Sequence, residues 1–249
     1  MCYDIAFSSR IESIFKLIPD LKKKKLDIDF NITYHKIGMS FPQWPVVVNR
    51  DGLELQTFTW GPVPKMLNTM EKVKKQRQLF LNARSEKVLE PGTMWHAIRH
   101  QRCLVPVTGF FEYRQIPGWK NKVAYYISQK EQEVFFMAGL WALSNSWDVD
   151  KPERIPTFTI LTRSANALMA QIHNGGDNAG RMPLMLSNEL AQSWLQPDLT
   201  DTDIRELLQY ELPSAALDYW PVNSVRKVKP DDESVLARVA YEGLPALVL

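Results

Sequence analysis

Apolar positions along this chain follow two spacings. Ile11, Ile14, Phe15 and Ile18 recur every three or four residues, the spacing of one helix face. Ser9 and Glu12 stand ahead of that face in the form of a capping box, and Pro19 with the Lys22–Lys25 run ends it. Pro45–Asn49 (PVVVN) and Leu55–Trp60 (LQTFTW) read instead as two strands, turned by Asn49-Arg50-Asp51-Gly52. Asn68–Phe80 reads as a helix. Cys103–Arg114 (CLVPVTGFFEYR) reads as one buried strand with polar residues at its end. Val123–Ser128 and Val134–Leu143 follow as strands across a charged turn, and Thr157–Thr162 as a further strand. Ser164–Gln171 is helix-like, and Ser187–Leu195 and Thr200–Tyr210 are amphipathic helices with caps at Ser187 and Thr200. From Tyr219 onward the pattern is one of short extended pieces and turns.

Strands and helices do not alternate regularly. The expected class is therefore α+β, with a curved, mostly antiparallel sheet or barrel-like core and flanking helices, rather than a doubly wound fold. No repeat or linker-like stretch divides the chain, so residues 1–249 are read as a single domain.

Composition adds limits. With 45% hydrophobic and 23% charged residues, the chain can bury a full core without disulfides or a structural metal. A net charge of +2 does not suggest nucleic acid; binding it requires cations gathered on one face and few phosphate contacts. Cys2 and Cys103 are the two cysteines, far apart and outside any CxxC pair, so no zinc or other metal is expected. No apolar run reaches membrane-spanning length, and residues 1–25 lack the pattern of a secretion signal. The expectation is a cytosolic protein, in the bacterial cytosol or nucleoid, with reduced thiols and no membrane association.

Four places carry reactive chemistry. Removal of Met1 would expose Cys2 as a 1,2-aminothiol, whose amine (pKa roughly 7.7–8) is partly neutral at physiological pH. An amine and a thiol on adjacent carbons can convert an aldehyde to an imine and then to a five-membered thiazolidine. The same group can act as the N-terminal nucleophile of amide hydrolysis, and a cysteine at position 2 can also be incidental. Leu81–Glu86 offers the Asn82 amide and the planar fork of Arg84, suited to phosphate, although a capping turn has the same composition. Glu112 closes an aromatic strand, where burial would raise its pKa toward the range useful for proton transfer; a solvent-facing Glu paired with Arg114 is the plain alternative. His173 ends a helix-like stretch among small and polar residues, just ahead of Arg181-Met182-Pro183. The basic runs Lys22–Lys25 and Lys72–Arg77 read as solvated faces. Among the tryptophans, Trp60 before Gly61-Pro62 is the one suited to stack on an unpaired base.

Taken in order, Met1-Cys2, Trp60-Gly61, Asn82-Ala-Arg-Ser-Glu86, Gly109-Phe-Phe-Glu112, Ile172-His173, Arg181-Met-Pro183 and Pro221-Val-Asn223 resemble the SRAP (SOS-response-associated peptidase) family. The resemblance spans nearly the whole chain. It implies a β-rich α+β fold, a positively charged groove for single-stranded DNA and covalent capture of abasic sites by Cys2; that chemistry requires no cofactor, and a monomer is expected. It implies proton transfer by Glu112, assistance to sugar-ring opening by His173, and orientation of the Cys2 end by Asn82. Arg84, Ser85, Trp60 and Arg181 become the expected DNA contacts. Two departures stand out. Tyr3 and Asp4 replace the family's usual Gly-Arg, and Tyr34-His35-Lys36-Ile37 replaces its Tyr-Asn-Val-Ala-Pro segment. Autopeptidase or thiol-peptidase activity, and non-catalytic binding of single-stranded or modified DNA, are the alternatives.

Overall fold

The computed structural model describes residues 2–21, 30–145, 153–225 and 232–248. The Lys22–Lys25 run and Met1 lie outside the described residues. In chain order the elements are β1 (Asp4–Phe7), α1 (Glu12–Leu17), β2 (Thr33–Ile37), β3 (Gln43–Asn49), β4 (Leu53–Trp60), α2 (Met70–Gln76), β5 (Asn82–Arg84), α3 (Met94–Ala97), β6 (Arg102–Val107) and β7 (Gly109–Arg114). They continue as β8 (Val123–Gln129), β9 (Phe135–Asn145), β10 (Arg154–Ser164), α4 (Ala167–Ile172), β11 (Arg181–Pro183), β12 (Met185–Leu186), α5 (Asn188–Trp194), α6 (Asp201–Gln209) and β13 (Leu217–Val222).

Two sheets result. One runs β13-β8-β7-β1-β2 and is antiparallel throughout. In the other, β10 pairs with both β4 and β9, so that β10-β4-β3-β6-β9 closes on itself like a small barrel. The expected α+β architecture with a curved, mostly antiparallel core is thus the observed one. Its parallel exceptions are β10 against β4 and β10 against β5.

The predicted β3–β4 hairpin forms in register, Asn49 opposite Leu53, with Gly52 at φ 119° in the turn, where an L side chain is strained. Ser187 and Thr200 cap α5 and α6 as expected; at Thr200 the box is closed by Asp203. The helix predicted over 68–80 forms from Met70, capped by Thr69, and tightens to a 3-10 turn through Phe80.

Two expectations change. The Ser9–Glu12 capping box does not form: Ser9 and Ser13 both donate to the Glu133 carboxylate, at 2.6 and 3.2 Å, and α1 starts with no side-chain cap. A long-range carboxylate takes the hydroxyl that the local pattern assigned to the helix end. Cys103–Arg114 is not one strand. It breaks at Thr108, where Ser8 N–H donates to Oγ1 at 2.9 Å, and β6 and β7 enter different sheets. Gly109 permits the corner, because a Cβ there would stand 2.2 Å from the Tyr126 ring.

The main core lies between the sheets, around Trp44, Phe7, Phe110, Phe136, Phe158 and Trp194. A smaller cluster, Ala6, Phe111, Tyr126, Val222 and Val235, covers the opposite face of β1-β7-β8. Side chains alternate along a strand, so Glu112 falls on the same face of β7 as Phe110, toward the main core. No helix among the described residues is long and apolar enough to cross a membrane.

Candidate active site

The first strand and the third strand of the antiparallel sheet bring the chain start to Glu112. Asp4 lies opposite Phe111 in the β1–β7 ladder, so Tyr3 and Cys2 run on alongside Glu112. Cys2 is fully buried and its Sγ stands 4.0 Å from the Asp4 carbonyl. The Asn82 amide, at the start of β5, donates to the Cys2 carbonyl at 3.0 Å. Its own carbonyl oxygen Oδ1 is buried with no hydrogen-bond partner among the described residues. The site therefore has an acceptor that a bound donor can satisfy.

His173 caps the C-terminal end of α4, its backbone N–H on the Met169 carbonyl. Nδ1 lies 2.8 Å from the Arg181 carbonyl. A carbonyl can only accept, so Nδ1 carries a proton and Nε2 is the nitrogen that exchanges one. Nε2 stands 3.9 Å from Glu112 Oε2. Both side chains are buried, with 8% and 5% exposure.

Burial raises the Glu112 carboxyl above its ordinary range; Asp4 adds to the rise and His173 opposes it. Burial also pushes the Cys2 thiol well up, and Glu112 pushes in the same direction. The thiol is thus held in its protonated form near neutral pH. A cleft of about 270 Å³ opens over this group, bounded by Tyr3, Asp4, Glu112, Tyr113, Lys122 and His173 with the 175–178 loop. That loop is fixed to the end of β7: Asn174 exchanges two hydrogen bonds with the Gln115 backbone, at 2.7 and 2.9 Å.

Cys2, Asn82, Glu112 and His173, four residues distant in sequence, are brought together. The expected DNA contacts divide. Arg84 is exposed at the cleft rim, donating to Asn178 Oδ1 at 3.2 Å. Ser85 is buried and lines a separate cavity with Glu86, Arg163 and Arg205. Arg181 is committed elsewhere: it forms a two-pronged ion pair with Glu86 at 2.6 and 2.9 Å and also donates to the Thr162 carbonyl at 2.6 Å. Trp60 does not present a face to a base. It has no exposed surface, donates its indole N–H to the Leu81 carbonyl at 2.7 Å and stacks on Phe158, with centroids 5.9 Å apart. An adjacent Gly-Pro marked it as a surface aromatic; the barrel closure between β4 and β10 puts it inside.

The sequence reading did not find the buried pair of His35 Nε2 and Asp4 Oδ1 at 2.8 Å, nor Tyr113 and Lys122 at the cleft. Asp4 and His35 did appear as departures from the family pattern. Only the β1–β2 pairing joins them, in place of the cation the pattern carries there.

A family model described as SOS response associated peptidase (SRAP) matches residues 1–228. The Abasic site processing protein YoqW of Bacillus subtilis (strain 168) is 28% identical over 166 residues, covering 67% of this chain and 68% of that protein. The Abasic site processing protein HMCES of Gallus gallus is 28% identical over 200 residues, covering 71% of this chain and 56% of that protein. Among solved structures, an X-ray crystal structure of a protein from Bacteroides thetaiotaomicron superposes with a TM-score of 0.82 at 28% identity, covering 96% of this chain and all of that one.

Proposed function

The chain belongs to the SOS response associated peptidase (SRAP) family, and from that premise we propose that it processes abasic sites in single-stranded DNA by bonding Cys2 covalently to the exposed sugar. One observation carries the reading: Asn82 holds the buried Cys2 backbone beside Glu112, and Glu112 and His173, 3.9 Å apart, line the adjoining cleft. Two relatives named as abasic site processing proteins supply the substrate class.

Hydrolysis of the Met1–Cys2 peptide bond consumes one water and leaves the Cys2 amine. His173 exchanges protons with the closed sugar and so speeds its opening to the aldehyde, which the amine then draws off. The neutral amine attacks C1′, forming a C–N bond. Protonated Glu112 gives the carbonyl oxygen its proton, takes one from the attacking nitrogen and returns it to the hydroxyl, which leaves as water; the nitrogen gives its second proton back to the carboxylate, leaving the imine. Cys2 Sγ adds to that carbon, its proton passing to nitrogen, and the thiazolidine closes. The net change on DNA is one aldehyde consumed and one water released.

The raised thiol pKa favours this order. A thiol peptidase needs a standing thiolate, which desolvation and the neighbouring carboxylate disfavour. An amine-first route needs none. Arg84 at the rim supplies a phosphate contact.

The test combines intact mass with adduct formation. The mature protein is expected to lack Met1 and to form a heat-stable adduct with a uracil-excised single-stranded oligonucleotide. Cys2→Ala, or a short extension ahead of Cys2, should abolish it. Retained Met1 in active protein, or undiminished adduct from Cys2→Ala, would sink the proposal. Turnover of peptides without any adduct on abasic DNA would place the chemistry in amide hydrolysis instead.

A further inference from the structure

Three carboxyl groups border the cleft, Glu112, Asp177 and the His35-paired Asp4, and Lys122 is the one lysine or arginine among the described residues that line it. A sugar can enter such a place, but the carboxyl groups offer its phosphates no partner, so a strand needs cationic anchorage on its flanks. Arg84, bonded to Asn178 of the cleft loop, meets part of that need. Lys122 donates to the Gly175 carbonyl of the same loop at 3.2 Å and also lines a second, larger groove of about 670 Å³.

That groove joins two half-buried aromatic rings to exposed cations. Trp119 and Tyr241 meet at a tilt, centroids 6.3 Å apart, and Lys120, Lys122, Asn223 and Ser224 complete the lining. No carboxylate is among the described residues that line it. Tyr241 lies beyond residue 228, where the family match ends. It is fixed in place by the segment that follows β13. Its hydroxyl donates to the Val222 carbonyl at 2.8 Å, Val239 N–H to the Pro221 carbonyl at 2.9 Å, and the Trp220 indole to the Leu236 carbonyl at 2.8 Å. This chain therefore builds one wall of the groove from residues outside the family core.

We propose that the Trp119–Tyr241 groove is a second binding site for single-stranded DNA, seating a nucleotide that flanks the abasic position, with its base against the aromatic pair and its phosphate at Lys120. The site rests on the reading above that the neighbouring cleft receives an abasic sugar. The chemistry is that of strand binding without sequence preference: an aromatic face for any base and a compact cation for the backbone. The strand then runs from Arg84, past the Glu112 cleft, to Lys122 and the groove.

The measurement is fluorescence anisotropy of the full chain with undamaged single-stranded oligonucleotide across a salt series. Trp119→Ala is expected to weaken binding about tenfold, the loss of one base–aromatic stack. Lys120→Gln, an exposed position whose change leaves the core untouched, is expected to lower the slope of log affinity against log salt by about 0.7, one phosphate on a single strand. If both variants match wild type within twofold, with the slope unchanged, or if wild type does not bind the undamaged strand, the groove is not a DNA site. Undamaged DNA has no aldehyde, so this result is independent of the Cys2 chemistry. Normal strand binding with no adduct on abasic DNA would instead overturn the covalent reading alone.

Discussion

Trp60→Phe separates a core tryptophan from a base-stacking one. The indole has no exposed surface, and its N–H donates to the Leu81 carbonyl at 2.7 Å. That carbonyl also accepts from Ile160 N–H at 3.2 Å, so phenylalanine removes one hydrogen bond without orphaning the acceptor. The lost bond costs about 0.5–1.5 kcal/mol. The void left by the smaller ring against Phe158 and Gly38 adds roughly 1–2 kcal/mol, below the ~3–5 kcal/mol of a full truncation to alanine. The total is about 1.5–3.5 kcal/mol, and at ~2–4 °C per kcal/mol in a chain of this size the melting temperature should fall by about 3–14 °C. Leu81 directly precedes Asn82, whose amide holds the Cys2 carbonyl, so the rate of adduct formation should fall as well. Affinity for undamaged single-stranded DNA, measured well below the melting range, should stay within twofold. Thermal denaturation followed by circular dichroism and anisotropy titration make the comparison. A variant that melts within 1 °C of wild type yet binds DNA tenfold more weakly would mean that Trp60 turns outward onto a base.

Two further predictions concern charge. Glu112→Gln should slow adduct formation by about 10²–10⁴-fold, the usual contribution of a proton-transfer group. It should also stabilise protein whose Met1 is retained by an N-terminal tag. The folded carboxyl is raised, so its stabilising contribution is complete below the unfolded value near 4.3 and is lost as pH climbs through the folded one. Melting temperatures should therefore coincide near pH 4 and favour the glutamine variant at pH 8; equal values at both would refute the burial argument. For the arginines, Arg84→Gln should reduce the salt slope of single-strand binding by about 0.7, while Arg181→Gln should leave it unchanged. The first guanidinium is exposed, whereas Glu86 and the Thr162 carbonyl occupy the second. Equal slope changes in the two variants would show that Arg181 reaches phosphate after all.

Local chemistry made much of this protein legible from its sequence alone. The β3–β4 hairpin, the Thr200 and Ser187 caps, and the reactive potential of Cys2, Glu112 and His173 depend on residue type and short spacing, and the chain carries both. The α+β class followed from the irregular order of strand and helix patterns. Tertiary structure decided where long-range contacts outbid the local pattern. Glu133 drew Ser9 away from its helix, and Thr108 with Gly109 turned one apolar run into strands of two sheets. Closing β10 against both β4 and β9 put Trp60 inside the barrel, and Glu86 claimed Arg181. The Asp4–His35 pair and the Trp119–Tyr241 groove unite residues about 30 and 120 positions apart. Burial and pairing depend on which segments become neighbours, and no window of sequence contains both partners.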